Sequence, residues 1–368
     1  MIKNSPGRPI RLMLTGGGTG GHLFPAVATA QRLCFREPDS QVLFIGTRRK
    51  LDKKHLERYG FSVATVHSFG LKGQKLGALL RAIAILPLTF CEACYQILRF
   101  QPDVVCGVGG YVTGPVVAAA WLMRKPTIIH EQNSVPGLAN RKLGRLVDKI
   151  CLSLPASQSY FPTGKTVLTG NPVRSQIVEL RERTTSAEKK MTLLVLGGSQ
   201  GARAINEMIV EVFTAGDRDL TEIEIIHQTG TADEGTVKKA YEDNNVKARV
   251  SAFFDDMAAV YKSADFVVSR AGATTLAELA VLGKPAILIP YPHAADNHQE
   301  KNALGFVEQG GALLLSQDDL TADTLRTKIK LLITEPETLE TMSKNMKKLG
   351  IPDAADRIVN LCLEMAKK

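Results

Sequence analysis

Several things are scarce in this sequence, and each scarcity removes a class. No apolar run is long enough to cross a bilayer. The most apolar segment, "LKGQKLGALLRAIAILPLTFCEACYQIL" (residues 71–98), is broken by Arg81 and Pro87, and its longest uncharged run, residues 82–91, has ten residues. A spanning helix needs ~20. The start, "MIKNSPGRPIRLMLTGGG", has no apolar stretch of signal-peptide type, so no secretory leader is expected. Among six cysteines only Cys91 and Cys94 form a CxxC, with no second pair and no nearby histidine. A structural zinc site takes four ligands, so the cysteines are expected to be free, buried thiols of a reducing compartment. Clustered aromatics for stacking on bases are few in the first half, which argues against a nucleic-acid-binding module. Low-complexity tracts and short repeats do not occur.

Acidic residues are also scarce, but only in one half. Residues 1–170 carry 22 Lys and Arg against 8 Asp and Glu, net +14, whereas the remainder is net −5. A polyanionic partner for the first half follows, either nucleic acid or an anionic membrane surface. The apolar segment 71–98 then has two readings. It is a buried helix, or a surface helix that dips apolar side chains into a membrane with Lys72, Lys75 and Arg81 at the headgroups.

What is present is a chain of 368 residues, 44% hydrophobic and 23% charged, enough for two soluble domains with separate cores. Continuous apolar runs recur: "IRLMLTG", "QVLFIG", "PDVVCGVG", "PTIIHE" and "KICLSL", then "MTLLVLGG", "EIEIIHQTG", "VKARVSAF", "ADFVVSR", "PAILIPY" and "GALLLS". Parallel strands covered on both faces read this way. Helical patterns such as "LFPAVATAQRLCF" and "TTLAELAVLG" lie between them. The pattern predicts two successive doubly wound α/β domains. The boundary is set near "LTGNPVR", giving 1–170 and 171–351. Residues 181–190, "RERTTSAEKK", read as a linker, and a final helix runs over about 352–368.

Each half opens on a strand that enters a glycine-rich loop, "RLMLTGGGTGGH" and "TLLVLGGSQGAR". The first matches GxGxxG at Gly16, Gly18 and Gly21, so a nicotinamide-dinucleotide site is one reading. The acidic residue expected after the second strand is missing. "FIGTRRK" offers Arg48 and Arg49 instead, which suits an NADP phosphate, so an NADP-dependent oxidoreductase with its Rossmann site at Gly16–Gly21 remains an alternative. A tight turn without ligand is another. In the second loop, Ser199 and the glycines direct backbone N–H groups to a helix start, where an anion is stabilised. Two such loops suggest one ligand gripped from two domains.

Further polar groups follow apolar strands. Thr275 and Glu278 in "SRAGATTLAELAVLG" have capping-box spacing. Glu278 is either a helix cap or a carboxylate accepting two ribose hydroxyls. "PYPHAADNHQEKNA" gathers His293, Asp296, Asn297, His298 and Gln299 after a strand's carboxyl end, where ligands bind in open α/β sheets. "IIHEQNSVPGLANR" supplies Glu131, Gln132 and Asn133, of which the first two suit internal hydrogen bonding. "TGNPVR" supplies Asn171 and Arg174, the latter suited to a phosphate. Asp217-Arg218-Asp219 is a literal DxD, set in a charged run that reads as a solvated loop.

Together "GGGTGGHLFPA", "GVGGYVTGP", "HEQNSVPGLANR", "TGNPVR", "GGSQGARAIN", "FFDDMAAVYKSAD" and "SRAGATTLAELAVLGKPAILIPYPHAADNHQEKNA" resemble the MurG family over essentially the whole chain, in that family's order. The resemblance implies a GT-B fold of two Rossmann-like domains separated by a cleft, with the C-terminal helix, residues 352–368, joining the first domain. It implies an inverting transfer of N-acetylglucosamine (GlcNAc) from UDP-GlcNAc to the C4 hydroxyl of the MurNAc of undecaprenyl-pyrophosphoryl-MurNAc-pentapeptide, a step of peptidoglycan synthesis. No cofactor or metal is implied. The partners implied are UDP-GlcNAc, the undecaprenyl-linked acceptor, the anionic cytoplasmic face of the inner membrane and other cell-wall synthesis proteins. No nucleic-acid partner is implied.

Inversion by single displacement needs a base for the acceptor hydroxyl, and His22 suits it, since the histidine side chain ordinarily titrates near pH ~6.5. A positioning contact to donor phosphate or sugar is the plainer role. Matched to the family's motifs, Thr19, Gly20 and Gly21 would approach donor sugar and diphosphate. Asn133 would meet GlcNAc, and Arg174 and Ser199 the phosphates or sugar. Phe254 would meet uracil through its backbone. Ala273, Thr274, Thr275, Leu276 and Ala277 would line the nucleotide site, with Glu278 on the ribose and Gln299 on the transferred sugar.

Overall fold

The computed structural model describes residues 9–17, 20–47, 56–57, 59–68, 76–182, 190–198 and 201–367. Thr19, Ser199, Arg48, Arg49, Lys72, Lys75 and the side chain of Arg81 lie outside the described residues, as does most of the linker segment. The chain divides into two compact units, residues 1–174 with 352–368, and residues 175–351.

The first unit holds a seven-stranded sheet. Its strands are β1 (Arg11–Thr15), β2 (Gln41–Thr47), β3 (Ser62–Val66), β4 (Val104–Gly107), β5 (Thr127–Glu131), β6 (Lys149–Leu152) and β7 (Thr166–Leu168). They lie side by side in the order 3-2-1-4-5-6-7, every pair parallel. Parallel strands need crossovers, and the sheet is therefore covered on both faces by helices. Those described are α1 (Gly20–Arg36), α2 (Leu76–Phe100), α3 (Thr113–Leu122) and α4 (Leu138–Leu143). Leu12, Leu14 and Val27 pack in the core on one face, Met13, Val105 and Val117 in that on the other.

The second unit repeats the plan. Its strands β8 (Thr192–Leu196), β9 (Glu224–Gln228), β10 (Ala248–Ser251), β11 (Phe266–Ser269), β12 (Ala286–Leu288) and β13 (Ala312–Leu314) take the order 10-9-8-11-12-13, again all parallel. Its helices are α5 (Ser175–Val178), α6 (Arg203–Thr214), α7 (Glu234–Asp243), α8 (Met257–Ser263), α9 (Ala273–Leu282), α10 (His298–Val307), α11 (Ala322–Thr334) and α12 (Pro336–Leu349). Each unit is thus a doubly wound Rossmann-like domain, as the apolar runs predict. All eleven runs are strands. The two strands they miss, β3 and β7, lie at the sheet's edges and are only partly buried. Neither forms the continuous apolar run that marks a central strand.

The last helix, α13 (Ala354–Met365), belongs to the first unit. Its Ile358, Val359 and Cys362 enter the core beside Leu12 and Val27. Asp356 accepts from Arg32 Nε (2.7 Å) and Arg36 Nη1 (3.3 Å) on α1. The segment 171–174, read from the sequence as the start of the second domain, also packs with the first. Asn171 and Val173 are buried there, and the Arg174 guanidinium lies 4.7 Å above the Phe24 ring of α1.

Two other expectations change, and the DxD keeps its solvated setting. Cys106, Cys151 and Cys362 are buried thiols, but Cys91 is exposed and Cys34 and Cys94 are half-buried, because α2 and α1 turn those positions outward. Within segment 71–98, the described side chains, from residue 84 on, are neither wholly buried nor wholly exposed. Thr89, Ala93 and Ile97 of α2 face inward, while Leu86, Leu88, Tyr95 and Leu98 face outward. The carboxylates of the DxD are ion-paired with α11. Lys330 Nζ lies 2.9 Å from Asp217 and 2.7 Å from Asp219.

A buried polar chain ties α6 and α7 to β9. Asn206 Nδ2 donates to Thr229 O (2.9 Å) and Asp233 Oδ2 (2.8 Å), so its Oδ1 accepts from His227 Nε2 (3.0 Å). His227 Nδ1 then accepts from the Tyr241 hydroxyl (3.0 Å). Burial pushes the His227 pKa down to about 3. The unfolded chain therefore binds a proton below pH ~6.5 that the folded chain refuses, and stability is lost as pH falls through that value. The expected slope is at most about 1.4 kcal/mol per pH unit from this residue. His227→Gln should flatten the melting-temperature profile between pH 6.5 and 4.5; equal profiles for both proteins would contradict it.

Candidate functional site

In both sheets the chain order reverses beside the first strand, at β1|β4 and β8|β11. Loops leaving the carboxyl ends on either side of such a point diverge, which opens a crevice. In the first unit this crevice is lined by the loop after β1 and the loop after β4. Their backbones meet closely. Gly110 has φ +89°, and a Cβ there would stand 2.4 Å from the Gly17 carbonyl oxygen. Val108 N donates to Thr15 O (2.8 Å), and the Thr113 hydroxyl contacts both Thr15 O (3.1 Å) and Gly109 O (2.7 Å). Only glycine allows this approach in the left-handed region.

His22 stands in the first turn of α1, half-buried. Its ring lies against Gly109, where a Cβ would come within 2.9 Å of Cε1. Its Nδ1 is 3.1 Å from Gln132 Oε1, beyond the end of β5. Gln132 and the adjacent Glu131 are each 2% exposed. Glu131 is a loop organiser. It accepts from Asn133 N (2.9 Å), Asn140 Nδ2 (2.9 Å) and Gly137 N (3.2 Å), while burial raises its pKa against those bonds. Asn133 Nδ2 also donates to Glu131 (3.3 Å). Gly20, Gly21 and His22 lie in the first turn of α1, next to Phe24, the ring under Arg174. The first unit thus places Gly20, Gly21 and His22 after β1 and Asn133 after β5, with Arg174 held over Phe24 of α1.

In the second unit α9 starts directly after β11. Gly272 is its extended N-cap and makes no side-chain cap. Thr275 is therefore inside the helix and Glu278 lies in its second turn, so the capping-box reading of this pair does not hold. Glu278 is 5% exposed and accepts from the Tyr261 hydroxyl at 2.8 Å. Leu276 is buried in the core, so only its backbone is available to a nucleotide, while Ala273, Thr274, Thr275 and Ala277 are partly exposed.

Gln299, at the start of α10, accepts from Tyr291 N at 3.0 Å through Oε1, which leaves its amide N–H groups as donors. Arg270 braces that loop. It donates to Ile289 O (3.1 Å), Pro290 O (3.0 Å) and Gln317 Oε1 (2.6 Å), with its charge 5.4 Å above the Tyr291 ring. Phe254 N donates to Gln228 Oε1 (3.2 Å), so a uracil would compete with Gln228 for that amide. Of the strand-end polar group, His298 Nδ1 lies 2.7 Å from Ala295 O and the His293 ring packs edge-on against Tyr291.

The comparisons with known proteins agree along the chain. The Glycosyltransferase family 28 N-terminal domain matches residues 12–152 and the family 28 C-terminal domain matches residues 192–358. A protein of Desulfotalea psychrophila named UDP-N-acetylglucosamine--N-acetylmuramyl-(pentapeptide) pyrophosphoryl-undecaprenol N-acetylglucosamine transferase is 55% identical over 97% of both chains. The chain belongs to the MurG family. A Myxococcus xanthus protein of the same name is 42% identical over 97% of this chain and 93% of its own. The crystal structure of Acinetobacter baumannii MurG superposes with a TM-score of 0.77, at 30% identity over 97% of this chain and all of that one. The kitacinnamycin glycosyltransferase, at 17% identity and TM-score 0.69, shares the fold. MurG membership replaces the nicotinamide reading of Gly16–Gly21.

Sequence reasoning finds the loops and His22 but misses the residues that hold them. Gln132 is seen there only as a buried polar group. Phe24, Tyr261 and Arg270 lie inside the quoted motifs and Gln228 inside an apolar run, but nothing local to them marks what they hold. Gly109→Ala should displace the His22 ring and strain a position at φ +100°, costing about 1–3 kcal/mol. Thermal melting and the His22 imidazole resonances check it; an unchanged melting temperature with unmoved resonances would contradict the packing described.

Proposed function

We propose that this protein transfers GlcNAc from UDP-GlcNAc to the C4 hydroxyl of MurNAc in undecaprenyl-pyrophosphoryl-MurNAc-pentapeptide, with inversion at the anomeric carbon. The observation that carries this is membership of the MurG family over 97% of the chain. The acceptor oxygen attacks the anomeric carbon, its proton passes to His22, and the bond to the UDP oxygen breaks with its electron pair on the diphosphate. Backbone N–H groups at the starts of α1, α6 and α9 suit that growing negative charge. Arg174 suits it as well, and Thr19 and Ser199 would add hydroxyl contacts.

The nucleotide reading rests on the second unit. Glu278 is fixed by Tyr261 and offers a buried carboxylate to the ribose diol. Phe254 meets the uracil through its backbone. Gln299 donates to the hydroxyls of the transferred sugar. In the first unit, Asn133 is a GlcNAc contact. His22→Ala should lower kcat by about 10²–10⁴-fold with little change in the KM for UDP-GlcNAc. Glu278→Ala should instead raise the Kd for UDP-GlcNAc. A normal kcat in the first variant removes the base role, and a normal Kd in the second removes the ribose contact.

A lipid-linked acceptor has to be met at a membrane. Among the described residues no helix is long and apolar enough to cross one. Helices α2 and α3 pack together and expose Tyr95, Leu98, Trp121 and Leu122. The unit that carries them holds the chain's excess of basic residues. We read this face as the docking surface on the anionic cytoplasmic leaflet, which makes the protein peripheral to the inner membrane, beside other cell-wall synthesis proteins. Leu98→Asp with Leu122→Asp should weaken sedimentation with anionic vesicles and leave UDP-GlcNAc binding intact. Undiminished sedimentation would move the docking face elsewhere.

A further inference from the structure

Behind His22 three polar side chains stand in line. Gln132 Oε1 is 3.1 Å from His22 Nδ1. Gln132 Nε2 is 2.9 Å from the Val108 carbonyl oxygen, 3.1 Å from His130 Nδ1 and 3.3 Å from the His130 carbonyl oxygen. His130 Nε2 is 3.2 Å from the Gly170 carbonyl oxygen and 2.9 Å from Ser153 Oγ. His130 is 1% exposed and Gln132 2%.

The partners at the two ends decide every proton between them. A carbonyl oxygen only accepts, so the Gln132 nitrogen must face Val108 and the Gln132 oxygen must face His22. That oxygen only accepts too, so His22 Nδ1 carries the ring proton. In the neutral ring the lone pair then lies on Nε2. From the far end, the Gly170 carbonyl requires a proton on His130 Nε2, and His130 Nδ1 accepts from Gln132. Burial supports this by pushing the His130 pKa down to about 4, which keeps the ring neutral. Turning the Gln132 amide over would set its oxygen against two carbonyl oxygens and leave buried groups unmade, which is costly.

We infer that Gln132 is a positioning residue of the transfer reaction, holding His22 in the Nδ1–H tautomer so that Nε2 takes the proton of the acceptor hydroxyl. This rests on the reading of His22 as the base. The arrangement parallels a third group orienting a catalytic imidazole, with one difference. The orienting group is a neutral amide, so it selects the tautomer and adds no countercharge to the imidazolium. His130, Ser153 and Gly170 act one step further back by holding the amide.

Long-range proton–nitrogen correlation spectra of the full chain, labelled with ¹⁵N-histidine, read the tautomer directly. Wild type should show His22 protonated on Nδ1, and Gln132→Leu should lose that preference. The same variant should lower kcat about ten- to a hundredfold, with the KM for UDP-GlcNAc within about twofold. Added to His22→Ala it should cost nothing more, because it acts through a ring no longer present. Wild-type His22 protonated on Nε2 overturns the inference and needs no variant to fold. A Gln132→Leu loss that persists undiminished in the His22→Ala background overturns it as well. An unchanged kcat in His22→Ala alone sinks the base reading and the role of Gln132 with it, whatever tautomer the spectra show.

Discussion

A parallel strand cannot turn straight back to its neighbour. It must cross one face of the sheet through a helix and start again at the same edge. That constraint buries both faces of both sheets and puts all carboxyl-end loops of a sheet on one side. It also forces a place where crossovers leave in opposite directions, beside β1 and again beside β8. Loops can part there without breaking the ladder. The glycine-rich loops stand at these two places, and α1 and α6 start from them.

Given that frame, the chemistry divides by unit. The first unit offers a histidine held by buried amide and imidazole groups, and an arginine stacked on Phe24 of the same helix. The second offers a carboxylate held by a tyrosine hydroxyl and a glutamine held by a backbone amide. His22 and Glu278 are each oriented by a partner buried in the same unit, Gln132 and Tyr261. Such support keeps a side chain in one geometry without strain in its own rotamer, and a reaction that depends on alignment gains from it. The last helix matters for the same reason. By packing on α1 through Ile358, Val359 and Asp356, α13 steadies the element that carries His22.

Central strands and loops were legible because both leave local marks. A strand buried on both faces is a continuous apolar run, as "TLLVL" and "TIIHE" are. Edge strands such as "SVATV" are half-exposed and leave no such mark. His22 was legible from its place after five glycines. Its partner was not, since Gln132 is 110 residues away and the signal is a three-dimensional one. Glu278 shows the opposite error. Spacing from Thr275 suggested a cap, but the helix begins at Ala273, so the spacing falls inside it. Residues 171–174 went to the wrong domain because a polar stretch marks a boundary only to within several residues, and packing against Phe24 decides it.

The account's central claim is a single displacement at the anomeric carbon by the acceptor hydroxyl, with His22 taking its proton. The most direct measurement is the configuration of the new glycosidic bond. Purified protein, UDP-GlcNAc and a prenyl-shortened lipid-linked acceptor are combined, and the disaccharide product is read by its anomeric proton coupling. The donor's sugar is α-linked, so the account predicts a β-linked GlcNAc on the muramyl C4 oxygen. An α-linked product, or release of free GlcNAc without transfer, would contradict it.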